Sequence, residues 1–184
     1  MSKSARHFVI LSCALAAALI TGLLLISYAR NSEFRTAAAW HKAHGNIFLV
    51  DGHKLILPQD WWEKGEGEDG KSFAVKASRD LTHLSQSAIT VDRKGVEESK
   101  RSEEEIRNSL ESFVNTDKKT GNDVAQSSLV AIRATSTNMY CLKTLLEGKD
   151  VELRCDVVGA PIVIKSIGPP ESEKEIESIL STFN

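Results

Sequence analysis

The stretch from Phe8 to Tyr28, "FVILSCALAAALITGLLLISY", carries no charged residue. Wound as a helix, its 21 residues reach about 31 Å, the depth of a bilayer's hydrocarbon core. Lys3 and Arg6 stand before it and Arg30 follows it. That layout predicts an N-terminal tail and transmembrane signal anchor over residues 1–29, with the lipid bilayer as partner of residues 8–28. A cleaved signal peptide is the alternative, with Ser27 and Ala29 at the small positions ahead of Arg30. Cleaved signals have shorter apolar regions, about 7–15 residues, which favours the anchor. Lipidation at Cys13 fits poorly, because bulky Leu11 precedes it and the apolar run continues well past it. The expected location is the bacterial cytoplasmic (inner) membrane, single-pass, with the C-terminal part outside the cytoplasm. Ala14, Ala18 and Gly22 recur every four residues, a small-residue face through which two such helices could pair as a homodimer.

Removing this segment leaves room for one domain of ordinary size. Beyond residue 30 the chain has 20 basic and 25 acidic residues, a net charge near −5. A nucleic-acid partner is not expected from that balance. Residues 30–45, "RNSEFRTAAAWHKAHG", read as a juxtamembrane helix or linker, capped by Ser32 and ended by Gly45. His41 and His44 lie one turn apart on it and His53 follows. No Cys, Asp or Glu joins them at a ligand spacing, so they read as solvated histidines on a polar stalk, and no metal or cofactor is expected.

The exported domain, residues 46–184, opens with a hairpin signal. Asp51-Gly52 is a preferred type I′ pair between two apolar runs, and Pro58 closes the second. Trp61 and Trp62 follow. A core or rim place is the first reading for them. An exposed aromatic is also a frequent binding hot spot, so Trp61, Trp62 and Glu63 form the candidate binding surface. "EKGEGEDGK" reads as an acidic glycine-rich loop without calcium-loop spacing. "SFAVKAS" and "SAITVD" alternate as strands, with Lys94-Gly95 as a turn. Ser102 and Glu105 form a capping box for a helix whose stripe is Ile106, Leu110, Phe113 and Val114. "NTDKKTGND" reads as a polar loop. "SLVAIRAT", "MYCLKTLL", "VELRCDVV" and "PIVIKSI" follow as a four-strand meander. A last helix has a second capping box, Ser172 and Glu175, and an inner stripe of Ile176, Ile179, Leu180 and Phe183. The order predicts an α+β fold: an N-terminal transmembrane helix, then an antiparallel sheet with two amphipathic helices packed on it.

Cys141 and Cys155 are a possible disulfide, and an exported domain favours bridging them. Their hairpin has two registers. In one they face each other directly. In the other, Leu142 faces Cys155, and Tyr140, Leu142, Leu146, Val151, Leu153 and Val157 gather on one apolar face. Hydrophobic patterning favours the second and places Cys141, Arg154 and Asp156 on the wet face, although a bulge could reconcile a bridge with it.

"LILPQDWW" after a short hairpin, together with the ending "VELRCDVVG…EIESILSTF", resembles the PsbP/Mog1-like domains of bacterial envelope proteins over residues 46–183. The resemblance implies a non-catalytic assembly, chaperone or binding module and supplies no catalytic motif. Three functions are therefore weighed. The first is a membrane-anchored extracytoplasmic binding or assembly module. The second is an immunity-type inhibitor of an envelope toxin, for which the acidic run Glu63 to Asp69 could meet a basic partner. The third is an unrecognised hydrolase using His83 with Ser85 or Ser87. The sequence has no G-x-S-x-G, H-E-x-x-H or phosphate loop to support it.

Overall fold

The Asp51-Gly52 pair does what its chemistry predicts. Both residues have positive φ, 51° and 82°, and they join β1 (Ile47–Val50) to β2 (His53–Ile56) in a two-stranded hairpin. The computed structural model describes residues 3–66, 71–79, 86–94, 100–120, 126–146 and 150–184. The hairpin stands apart from a seven-stranded antiparallel sheet in the order β3-β4-β5-β9-β8-β7-β6. Its strands are β3 (Trp61–Glu66), β4 (Ser72–Lys76), β5 (Ala88–Arg93), β6 (Gln126–Arg133), β7 (Asn138–Leu145), β8 (Val151–Val157) and β9 (Ile162–Gly168). Strands β6 to β9 form the expected meander. Strand β9 then pairs with β5, joining the two halves. The chain is thus an α+β protein built on one antiparallel sheet.

Helix α4 (Glu173–Ser181) and the hairpin cover the inner face. Ile176, Ile179, Leu180 and Phe183 are all buried there, in one cluster with Phe48, Leu55, Trp61, Ile89, Met139, Leu153, Ile162 and Ile164. The C-terminus is tied to the hairpin: the Asn184 N–H donates to Lys54 O (3.1 Å), and the Lys54 N–H donates to Asn184 O (2.8 Å). Helix α3 (Glu103–Thr120) lies on the outer face against β6 and β7. Its capping box forms, with the Ser102 N–H donating to Glu105 Oε2 (2.7 Å) and the Glu105 N–H to Ser102 Oγ (3.3 Å). Hydrogen bonds donated to Oε2 by the Ser102 N–H and by Ser102 Oγ hold the Glu105 carboxyl below its usual range.

Several local readings change. Trp61–Glu66 is an edge strand rather than the start of a loop. A bulge between Glu63 and Gly65, with Gly65 at φ 108°, lets glycine-rich sequence pair with β4. Residues 67–70 and Gly95 lie outside the described residues. Helix α3 runs on through Thr120, into the segment read as a polar loop. The Ser172–Glu175 box does not form: Ser172 Oγ donates to Pro169 O, and Glu175 turns inward to Trp61 and Lys76. Ser32 is the first helical residue of its helix and Asn31 the N-cap, without a side-chain cap bond.

At the N-terminus, α1 (Lys3–Arg30) leads into α2 (Ser32–His44). Among the described residues no single helix is long and apolar enough to cross a membrane. The pair Leu15–Arg30 and Ser32–His44, bent by 45°, meets the requirement only together. Helix α2 is not a solvated stalk. Ala37 is fully buried and packs with Phe34 and Trp40 against Trp62, Val75 and Ala77. Glu33 accepts from the Ser78 N–H (2.7 Å) and from Gln86 Nε2 (3.2 Å). His41 is buried: its Nδ1 lies 2.9 Å from Gly45 O, and its Nε2 lies 2.8 Å from both Pro58 O and Trp61 O. The three histidines do not converge. His44 stacks on Trp40 and His53 on Phe183.

The hairpin is linked to the main sheet by Arg93, which grips Asp51 with two guanidinium nitrogens. The hydrogen bond from Arg93 is the main reason the Asp51 carboxyl titrates below its usual range. A depressed carboxyl stabilises the fold above its unfolded-state pKa, and that contribution disappears as pH falls through the folded value. Arg93→Gln should therefore cost about 0.5 kcal/mol at pH 7, the scale of an exposed pair. Thermal melts of parent and variant should converge once the pH has fallen through the lowered folded-state value, where the Asp51 carboxyl is protonated in both states.

Candidate binding site

The sequence-predicted surface is not a surface. Trp61 is fully buried in the inner core, and its Nε1 donates to Glu175 Oε1 (3.1 Å). Trp62, pointing the other way from the same strand, lies beneath α2. Successive residues of β3 face opposite sides, and both sides are covered. Glu63 is half-buried beside the bulge. Glu175 also binds Lys76, with Asp60 3.6 Å away. Burial alone lowers the Lys76 pKa, but these two carboxylates outweigh it and raise the ammonium above its ordinary value.

Cys141 and Cys155 are joined as a disulfide between β7 and β8. They are direct partners, as are Leu142 and Arg154, and Lys143 and Leu153. Patterning favoured the other register because it assumed one wet face. Both faces are covered here. The inner row, Met139, Cys141, Leu153, Cys155 and Val157, belongs to the core. Lys143 also points inward, where its Nζ reaches Glu173 Oε1 of α4 (2.5 Å). Leu142 points outward, toward α3.

On that outer side α2 packs over β3 and β4, while α3 packs over β6 and β7. Between them β8 turns Arg154 and Asp156 outward, with Lys165 and Val163 of β9 as their cross-strand neighbours. Along the edge of α3 a cleft of about 330 Å³ opens, lined by Arg101, Leu110, Phe113, Leu142, Arg154 and Asp156, with Ser109 and Val163. Phe113 belongs to the apolar stripe of α3, yet it is 59% exposed and overhangs this cleft. Behind the cleft, the Lys94 ammonium is buried against Asp156 Oδ1, and the Arg101 guanidinium lies 3.5 Å from the same oxygen. Sequence reasoning missed this group because it placed Arg154 and Asp156 in open solvent. The available signal was the double requirement on this hairpin: an apolar residue at 142 on the same face as charges at 154 and 156.

The chain is similar to a PsbP domain. The solution structure of cyanobacterial PsbP (CyanoP) from Synechocystis sp. PCC 6803 aligns over 75% of this chain and 90% of that one, at 14% identity and a TM-score of 0.43. A crystal structure from Bacteroides thetaiotaomicron VPI-5482 aligns over 76% of this chain and 48% of that one, at 15% identity and a TM-score of 0.37. No protein-family model and no curated protein matches the chain.

His83 and Ser85 lie outside the described residues, and Ser87 is buried, its Oγ and that of Ser172 both occupying the space a Cβ on Gly168 would need. No group of three or more His, Cys, Asp or Glu could hold a metal ion among the described residues. Of the small-residue face, Ala18 is exposed, Gly22 has open space around it, and the Ala14 side chain lies outside the description.

Proposed function

We propose that this chain is a single-pass, membrane-tethered module whose domain, residues 46–184, acts outside the cytoplasm by binding or assembly and not by catalysis. The observation that carries this reading is the surface of α1. Leu15, Leu19, Ile20, Leu23, Leu24, Leu25 and Ile26 are each more than half exposed. They point in every direction around the helix, which is the pattern of a helix solvated by lipid. The uncharged run begins still earlier, at Phe8. A disulfide supports an oxidising compartment for the domain. The docking of α2 adds a consequence: Glu33 and His41 fix the helix to the sheet, so the domain is carried at a set orientation to its anchor.

An impermeant amine-reactive biotin reagent tests the placement in sealed spheroplasts. Lys42, Lys54 and Lys174 offer ammonium groups beyond the anchor. The expected outcome is biotinylation of the chain before lysis. Biotinylation only after lysis would put the domain in the cytoplasm. Leu19→Arg with Leu23→Arg should move the chain from the membrane pellet to the soluble fraction, since each charge costs about 2.5–3.5 kcal/mol at mid-bilayer.

A further inference from the structure

We propose that the cleft beside α3 binds a small amphipathic carboxylate, an acid with one anionic head and a short apolar or aryl tail. Its volume, about 330 Å³, falls within the usual range for small-ligand sites, about 300–1,000 Å³. One wall is apolar: Leu110 and Phe113 from α3 face Leu142 of β7 and Val163 of β9. Phe113 holds a large aromatic ring half in water at its mouth, where a ligand tail would cover it.

The other wall is cationic in excess. Asp156 is the carboxylate in the lining, and three cations surround it. Lys94, with a side chain only 2% exposed, pairs with Asp156 from behind. Arg101 approaches the same oxygen at 3.5 Å, and its Nε is buried with no hydrogen-bond partner. Arg154 is exposed at the mouth and makes no ion pair among the described residues. A buried guanidinium N–H without an acceptor is costly, and an incoming carboxylate supplies one. The surplus positive charge disfavours a cation, and the apolar wall disfavours a sugar or a free inorganic ion. The Asp156 charge in the wall disfavours a dianionic phosphate. A monocarboxylate with an apolar tail satisfies all three constraints.

This inference stands on the cleft alone and goes beyond membrane tethering, so its failure would leave the biotinylation result untouched. The test uses the full chain in neutral phosphatidylcholine nanodiscs, with 4-(4-fluorophenyl)butyrate as probe and its ¹⁹F linewidth as readout. Empty discs give the baseline. The expected result is broadening above that baseline and binding at least tenfold weaker for Arg154→Gln. Arg133→Gln, an exposed change elsewhere, should leave binding unchanged. The matching neutral amide should bind at least tenfold more weakly than the acid. Octanoate should displace the probe at a concentration at least tenfold lower than acetate. No broadening above empty discs, equal binding of amide and acid, equal competition by acetate and octanoate, or unchanged binding in Arg154→Gln would each overturn the proposal.

Discussion

Trp61→Ala lowers the stability of the full chain by about 3–5 kcal/mol, the range for deleting a fully buried large aromatic. Three observations set that size. The indole is fully buried. It belongs to the cluster that joins the sheet to the hairpin and α4. Its Nε1 is a hydrogen-bond donor to Glu175, which also neutralises Lys76. Trp61→Phe separates the contributions. It keeps most of the apolar volume and removes the N–H, so its cost should be near 1 kcal/mol, that of one hydrogen bond. Far-UV circular dichroism during thermal unfolding in nanodiscs reads both. A loss below about 1 kcal/mol for the alanine variant would contradict the core placement and return Trp61 to the surface.

The second large effect is removal of the disulfide. Cys141→Ala with Cys155→Ala should destabilise the chain by about 2–4 kcal/mol, as expected for a short closed loop in the unfolded chain. The two cysteines are separated by 14 positions, and both side chains are fully buried. The double variant also loses sulfur packing between β7 and β8, so its cost should exceed that of the reduced parent by a small margin. Denaturant titrations of oxidised parent, reduced parent and double variant measure this. Equal midpoints for oxidised and reduced parent would show that the bridge contributes nothing to the fold.

Much of the fold was legible because local chemistry and global packing agree there. Asp51-Gly52 specifies its turn, Ser102 and Glu105 cap α3, and the Ile176–Phe183 stripe finds the inner core. The misreadings along β3, β7 and β8 share one physical origin, a sheet covered on both sides. Alternation along β7 and β8 was read as dry against wet, whereas Cys141 faces the inner core and Leu142 faces the cleft under α3. The same assumption left Trp62 free to face water, when α2 covers it. Residues 30–45 carry charges and histidines, so their polarity hid the contacts that dock α2, among them those of Ala37, Glu33 and His41. The cleft was illegible for a related reason. Phe113 sits at the flank of its helical stripe, and periodicity alone does not say whether a flank residue is covered. Arg101, Arg154 and Asp156 come from separate segments, and only the observed register brings them to one place.

The most direct test of a tethered, oxidised, extracytoplasmic domain is a thiol count on the carbonate-washed membrane fraction. Cells are quenched in acid, and the chain is denatured and alkylated with maleimide-PEG, with and without prior reduction. The chain has three cysteines, Cys13, Cys141 and Cys155. The account predicts that the chain stays in the membrane pellet, carrying one PEG adduct, on Cys13, before reduction and three after it. Recovery in the carbonate supernatant, or three adducts without reduction, would contradict it.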